Sequence, residues 1–303
     1  MDDHDATLVS VIDVRGVQKD FGSTRALDGL NLTVAAGQIH GFLGPNGAGK
    51  TTTLRLLLGL LRRDGGYATL FGTDPWTNSV ALHRRLSYVP GDVSLWPSLS
   101  GGECIDYLLR LRGGADRSRV TQLQHQFDFN PRTKVSSYSK GNRQKVALIA
   151  ALAADVELYI FDEPTDGLDP LMAEAFREQV NTLREHERTV LLSSHVLAEV
   201  DAVCDHVTII RDGQTIETGA LSELRHLQRQ SLTIETELEF ADISAIPGVH
   251  DVERTNNIVR CTVEPTALNE VLTHASAAHV INLETRSPSL EEMFLRYYDR
   301  DVS

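Results

Sequence analysis

Cysteine is scarce in this chain: Cys104, Cys204 and Cys261 lie far apart and show no metal-ligand spacing. An odd, scattered set of this kind points to reduced thiols in the cytoplasm. Long hydrophobic runs are missing as well. The best candidate, Val146 to Phe161, is broken by Asp155 and Glu157, so no stretch reaches the length that spans a bilayer. The first ten residues, MDDHDATLVS, are acidic and carry no signal-peptide core. Positive charge is in deficit, with a formal net charge of −13, which argues against a general affinity for nucleic acid. The expectation is a soluble chain whose membrane role, if it has one, runs through a partner. What remains is an ordinary globular composition over 303 residues, enough for one large domain and a small one.

Residues 44 to 52 read GPNGAGKTT, between the strand-like run Ile39 to Leu43 and a leucine-rich helical pattern (Leu54, Leu57, Leu58, Leu61). This is the G-x-x-x-x-G-K-[ST] pattern of a nucleoside triphosphate cradle. Glycines 44, 47 and 49 let the main chain curl so that successive N–H groups converge on phosphate. The following helix turns its positive end toward the same anion. Lys50 adds a point charge, and the Thr51 hydroxyl suits Mg²⁺. An acidic protein thus obtains phosphate affinity locally.

Other strand-like runs are Leu8 to Val14, Leu30 to Val34, Leu158 to Phe161, Val190 to Leu192, His206 to Ile210 and Gln214 to Glu217. The last two are joined by Arg211-Asp212-Gly213, a hairpin signal. Residues from about 76 to 155 read as mostly helical, with turns at Pro90-Gly91 and Gly113-Gly114, and Pro170 to Arg188 reads as a helix. Beyond Gly219 the texture changes to a short helix, the strands Thr233 to Glu239, Val249 to Arg254 and Ile258 to Val263, a helix around Ala267 to Ala275, a further strand and a terminal helix. Ser289 and Glu292 form a capping box for that last helix, whose apolar stripe is Leu290, Met293, Phe294 and Tyr297. This region reads as a separate α+β domain without a catalytic constellation.

In a parallel α/β sheet, ligands sit beyond the carboxyl ends of the strands. Two polar clusters fall there, DEPTDGLDP after Leu158 to Phe161 and SSH after Val190 to Leu192. Asp162 at a buried strand end can hold the Mg²⁺ shell, and Glu163 is placed to deprotonate an attacking water. His195 can donate to the γ-phosphate.

The ordered series GPNGAGKT, YSKGNRQ, LYIFDEP, GLD and SSH resembles the nucleotide-binding subunit of an ABC transporter, over roughly residues 8 to 220. The resemblance implies an α/β fold: a RecA-like P-loop NTPase core with a helical subdomain (about 92–155) and a small antiparallel β-subdomain, within a 1–220 ATP-binding domain. Residues 221–303 would form a C-terminal accessory α+β domain. It implies ATP and Mg²⁺ as ligands, with Gly44, Pro45, Asn46, Gly47, Ala48, Gly49, Lys50, Thr51 and Thr52 as the Walker A loop. It makes Thr51 and Asp162 the metal ligands, Glu163 the catalytic base, Gly167-Leu168-Asp169 the D-loop and His195 the switch histidine. Phe21 sits where the family stacks an aromatic ring on adenine.

Two segments compete for the family's signature motif. Leu99-Ser100-Gly101-Gly102-Glu103 looks closer to LSGGQ, but it lies some 60 residues ahead of Asp162. Tyr138-Ser139-Lys140-Gly141-Asn142 lies about 20 residues ahead, where the family starts the helix feeding the Walker B strand. The position selects Ser139 and Gly141. In the family this signature closes on the γ-phosphate bound by the other protomer, so the implied partner is a second copy of the chain. Lys140 and Asn142 depart from the usual glycine and glutamine, and Gly91-Asp92 stands where the family's Q-loop has glutamine.

The resemblance also implies a separate transmembrane permease subunit, docked near Asp92 to Leu99 with Trp96 as an anchor, at the cytoplasmic face of the cell membrane. The ending SPSLEEMFLRYY resembles subunits of drug- and lipid-exporting systems, which favours export. An importer ATPase and a soluble regulatory ATPase are the alternatives. A spacing of roughly 90 residues between Lys50 and Ser139 leaves no room for the coiled coil of a chromosome ATPase.

Overall fold

The computed structural model describes residues 10–226 and 230–286, in two compact units that part between Thr218 and Gly219. In the first unit, β1 (Ser10–Phe21) and β2 (Thr24–Ala35) form an antiparallel hairpin. Next, β3 (Ile39–Leu43) is buried along its whole length and delivers the chain into the glycine loop and α1 (Lys50–Leu57). Strand β4 (Gly65–Leu70) returns to pair with β1, completing an antiparallel sheet of order β2-β1-β4. Short α2 (Ser79–His83) leads to β5 (Leu86–Val89).

Three helices follow: α3 (Gly101–Leu111), α4 (Arg117–Gln126) and α5 (Lys140–Leu152). Every residue of α5 from Gln144 to Leu152 is buried, as befits a helix enclosed on most sides. Then come β6 (Leu158–Asp162), α6 (Pro170–Glu185), β7 (Thr189–Ser194), α7 (Leu197–Val203), β8 (His206–Arg211) and β9 (Gln214–Ala220). The main sheet has the order β5-β6-β7-β3-β8-β9. Its members β5, β6, β7, β3 and β8 run parallel. Continuous apolar runs such as Leu158 to Phe161 suit strands covered on both faces. Asp212 and Gly213, both at positive φ, turn β8 into β9, as the sequence predicted.

In the second unit, α8 (Leu221–His226) precedes β10 (Gln230–Thr236), β11 (Val249–Thr255), β12 (Ile258–Val263), α9 (Leu268–Ala277) and β13 (Val280–Arg286). The sheet order is β11-β12-β10-β13, and Leu232, Ile234, Val259, Cys261, Val263 and Val271 are at the centre of its own core. The expected terminal helix, with Leu290, Met293, Phe294 and Tyr297, lies outside the described residues.

Two strands went unread in the sequence. β4 has glycine at its first two positions, and β5 is a four-residue run inside a stretch expected to be helical. The GGYATL of β4 shows no apolar–polar alternation, and β5 is only four residues long.

Candidate functional site: a phosphate cleft at the strand ends

The parallel order puts three polar segments side by side. Asp162 at the end of β6 is level with Ser193 of β7, and Leu43 of β3, at the mouth of the glycine loop, is level with Ser194. Within the loop, Gly47 and Gly49 take φ of 87° and 106°, a region that side chains disfavour. A Cβ on Gly49 would stand 2.7 Å from Leu27, and one on Gly44 would stand 2.5 Å from the Ile210 carbonyl oxygen. Gly47 is fixed by conformation, Gly44 by packing and Gly49 by both.

Lys50 is almost wholly buried. Its Nζ donates to the carbonyl oxygens of Gly44 (2.5 Å) and Pro45 (3.3 Å) and lies 3.2 Å from Glu163 Oε1. Thr51 Oγ1 donates to Asp162 Oδ2 at 3.1 Å, and Ser193 Oγ donates to Asp162 Oδ1 at 2.6 Å. The hydrogen-bond partners of this buried carboxylate among the described residues are thus neutral hydroxyls. A buried anion with neutral partners, beside a hydroxyl, is a set of hard oxygen donors that fits Mg²⁺. Mg²⁺ takes few protein ligands and keeps water and phosphate oxygens.

Glu163 follows Asp162 with φ of 48°, and its N–H donates to the Ser193 carbonyl oxygen at 3.1 Å. The left-handed turn swings its carboxylate into the cleft. There Oε2 lies 2.7 Å from Nδ1 of His195, which is exposed. A cleft of about 190 Å³ is lined by Ala26, Pro45, Asn46, Gly47, Gly49, Lys50, Thr51, Thr52 and Glu163. Phe21 stands outside that lining, half exposed at the tip of the β1–β2 hairpin with Lys19 Nζ 5.5 Å from its ring centre. Gly91 brings main chain against Asp162: a Cβ there would lie 3.3 Å from the Asp162 carbonyl oxygen, while Asp92 is exposed.

The two signature candidates part company in their local chemistry. Ser100 and Glu103 form a reciprocal capping box for α3, with Ser100 N–H donating to Glu103 Oε2 (2.6 Å) and Glu103 N–H donating to Ser100 Oγ (3.3 Å). Gly101 is small because a Cβ would collide with Phe129 and the Tyr138 hydroxyl, and Gly102 N–H donates to the Pro131 carbonyl oxygen. That motif is a helix start packed on its neighbours. Ser139 caps α5, its Oγ accepting from Asn142 N–H at 3.3 Å, and a Cβ on Gly141 would collide with the Gly167 carbonyl oxygen. Lys140 pairs with Asp166 across the same contact. Asp169 caps α6 by accepting from Met172 N–H at 3.0 Å, with Pro170 in the first turn. The start of α5 thus packs on the turn that leads to Asp169, and Ser139, Gly141 and Asp169 are not among the residues lining the cleft.

Sequence reasoning missed Ser193, which holds both Asp162 and the Glu163 main chain, and Gln144, whose Nε2 donates to the Pro164 carbonyl oxygen at 3.0 Å. The doubled serine before His195 was the available signal, since small hydroxyls at a buried strand end seek polar partners.

A glycine loop between strand and helix, an Asp-Glu pair at a neighbouring strand end and an antiparallel three-stranded sheet define a P-loop nucleoside triphosphatase of the cassette type. Residues 27–166 match the family described as ABC transporter, and residues 219–298 match the C-terminal domain of ATP-binding proteins like DrrA1-3. An uncharacterised ABC transporter ATP-binding protein of Bacillus subtilis, YhaQ, is 31% identical over 92% of this chain and 95% of its own. The daunorubicin resistance ATP-binding protein DrrA2 of Streptomyces coeruleorubidus is 32% identical over 92% of each. A solved ATP-binding subunit of an ABC transporter superposes with a TM-score of 0.67 at 27% identity, over 71% of this chain and 92% of that one. The chain belongs to the ATP-binding subunits of ABC transporters, and is an ATPase.

Proposed function

We propose that this chain is the motor of an exporter. Two copies close on two ATP molecules, and hydrolysis reopens them to drive a substrate through a separate transmembrane subunit. The observation that carries this reading is the Glu163 carboxylate, set between Lys50 and His195 at the mouth of the glycine loop.

The loop N–H groups and Lys50 hold the β- and γ-phosphates, and Thr51 and Asp162 would hold Mg²⁺. Mg²⁺, when bound, offsets charge on the phosphate oxygens. Glu163 takes the proton of the attacking water, and His195 orients Glu163 and donates to the γ-phosphate. Phe21 stacks on adenine. Ser139, Gly141 and the start of α5 supply a second anion site for the γ-phosphate of the other copy, with Asp169 beside it. ATP thus favours the closed pair, which is the differential binding that a switch needs.

The membrane subunit enters the groove of about 310 Å³ between the segment after β5, α3 and α5, where Val93, Leu95 and Leu108 form part of the wall. Trp96 and Tyr107, exposed neighbours of two of those residues, meet edge to face with ring centres 4.9 Å apart and offer an aromatic anchor. No helix among the described residues is long and apolar enough to cross a membrane, which suits a peripheral subunit on the cytoplasmic face. The DrrA-like match of residues 219–298 supports a drug-like cargo, and supports reading 221–303 as an accessory domain to a 1–220 motor.

The test is Glu163→Gln. ATP binding should persist while turnover falls about 10²–10⁴-fold, with a stable nucleotide-bound dimer on gel filtration. Undiminished turnover sinks the assignment. Chelation with EDTA should abolish hydrolysis, and added Mg²⁺ should restore it. Purifying the chain from membranes with its partner then identifies the permease.

A further inference from the structure

One charged side chain near the site has a pattern of contacts that its own helix does not explain. Glu199 is the third residue of α7, whose N-cap, Val196, contributes no side-chain cap. An acid there ordinarily turns back to the free N–H groups of the helix start. Here both carboxylate oxygens leave the helix. Oε1 accepts from Thr165 Oγ1 at 2.6 Å, and Oε2 accepts from Ser194 Oγ at 3.1 Å.

Those two hydroxyls belong to the two segments that carry the hydrolytic groups. Ser194 immediately precedes His195. Thr165 belongs to the turn after Glu163, where Asp166 N–H donates to the Glu163 carbonyl oxygen and Leu168 N–H donates to that of Thr165. The same turn is held on its far side by Gln144 of α5 through the Pro164 carbonyl oxygen, and its Gly167 touches Gly141. A chain of contacts therefore runs from the start of α5, through the turn, across Glu199, to His195.

We propose that Glu199 is a positioning residue for hydrolysis: its carboxylate bridges Thr165 and Ser194, and so keeps His195 in register with Glu163 and with the Gly167–Asp169 turn. It touches no substrate and acts through His195. The bridge is charge-assisted and partly shielded from water, the setting in which such bonds are strongest. This inference rests on the roles proposed above for Glu163 and His195.

The experiment compares Glu199→Ala, Thr165→Val, Thr165→Ser and the Thr165→Val/Glu199→Ala double variant as full-length chains. It records kcat and KM for ATP alongside Tm. Misplacing a reacting group by a fraction of an ångström should lower kcat about tenfold in Glu199→Ala and in Thr165→Val, with KM changed less than about twofold. Thr165→Ser keeps the hydroxyl and should restore most of the rate. The double variant should be no slower than Glu199→Ala, because both changes break one link. Should Glu199→Ala fail to fold, Thr165→Val, close to threonine in shape, carries the test. Wild-type kcat in the single variants, a loss confined to KM, or multiplying effects in the double variant would overturn the bridge. Glu163→Gln run in parallel separates the two ideas: a slow Glu163→Gln with a normal Glu199→Ala removes the bridge alone, whereas a normal Glu163→Gln removes the underlying roles.

Discussion

Glu163 Oε2 lies 2.7 Å from His195 Nδ1, and the His195 N–H also reaches that oxygen, at 3.3 Å. The two residues follow adjacent parallel strands, and the sheet register sets Asp162 level with Ser193. The histidine is thus tied to the carboxylate through both ring and main chain. Removing the ring in His195→Ala should leave ATP binding intact and lower kcat about 10²-fold, the typical weight of a positioned acid–base group. Equal kcat for variant and wild type in a steady-state phosphate-release assay would contradict this.

Ser100 and Ser139 both cap helices, so replacing either with alanine should cost stability of about 1 kcal/mol. Their effects on turnover should differ. Ser139→Ala should slow ATP hydrolysis, and Ser100→Ala should not, because the proposed second anion site is at the start of α5 and not at the start of α3. Measuring Tm and turnover together separates the outcomes; slow hydrolysis in Ser100→Ala alone would exchange the two motifs.

Gly141→Ala should be more damaging than its size suggests. The added methyl meets the Gly167 carbonyl oxygen, a main-chain atom that cannot swing aside. Overpacking of this kind costs about 1–3 kcal/mol, and here it forces the turn leading to Asp169 away from α5. The expected result is a lowered Tm together with weakened ATP-dependent dimerisation on gel filtration. Unchanged dimerisation would detach that contact from the pairing face.

The motor unit also carries a built-in acid sensitivity. His40 on β3 is buried, with Nε2 2.8 Å from Thr208 Oγ1 and its ring stacked near His206. Burial, aided by His206, pushes its pKa down from 6.5 to about 3. The folded protein therefore keeps His40 neutral, while the unfolded chain protonates it near its ordinary value. Between those limits the unfolded state binds more protons, so stability is complete above about pH 6.5 and declines as pH falls. The decline is at most about 1.4 kcal/mol per pH unit from this group. His40→Gln should flatten the dependence of Tm on pH between 6.5 and 4.5. Parallel curves for the two proteins would rule the residue out.

Much of the site was readable in advance because phosphate chemistry leaves rigid spacing in a sequence. Gly47, Gly49, Lys50, Thr51, Asp162, Glu163 and His195 all lie at strand ends or helix starts where the apolar runs located them. The resemblance between Leu99–Glu103 and a signature was harder to judge. Position argues against it, and a capping box plus two glycines that clear Phe129, Tyr138 and Pro131 give that segment a local structural role of its own. β4 and β5 escaped because their pairing depends on partners distant in the chain, which a local pattern cannot report. The bridging roles of Ser193 and Glu199 escaped for the same reason. Hydroxyls and carboxylates advertise a capacity to bond, and only the fold selects the partner.

The backbone at Glu163 has a φ of 48°, a conformation that glycine or asparagine would accept more readily than a long side chain. Folding and chemistry therefore make opposed demands on a single position. A Glu163→Gly variant should relieve the local strain yet have nothing with which to accept a proton, leaving a chain that folds without difficulty and cannot fire. A screen that ranks variants of this protein by thermal robustness alone would regard its disarmed form as sound.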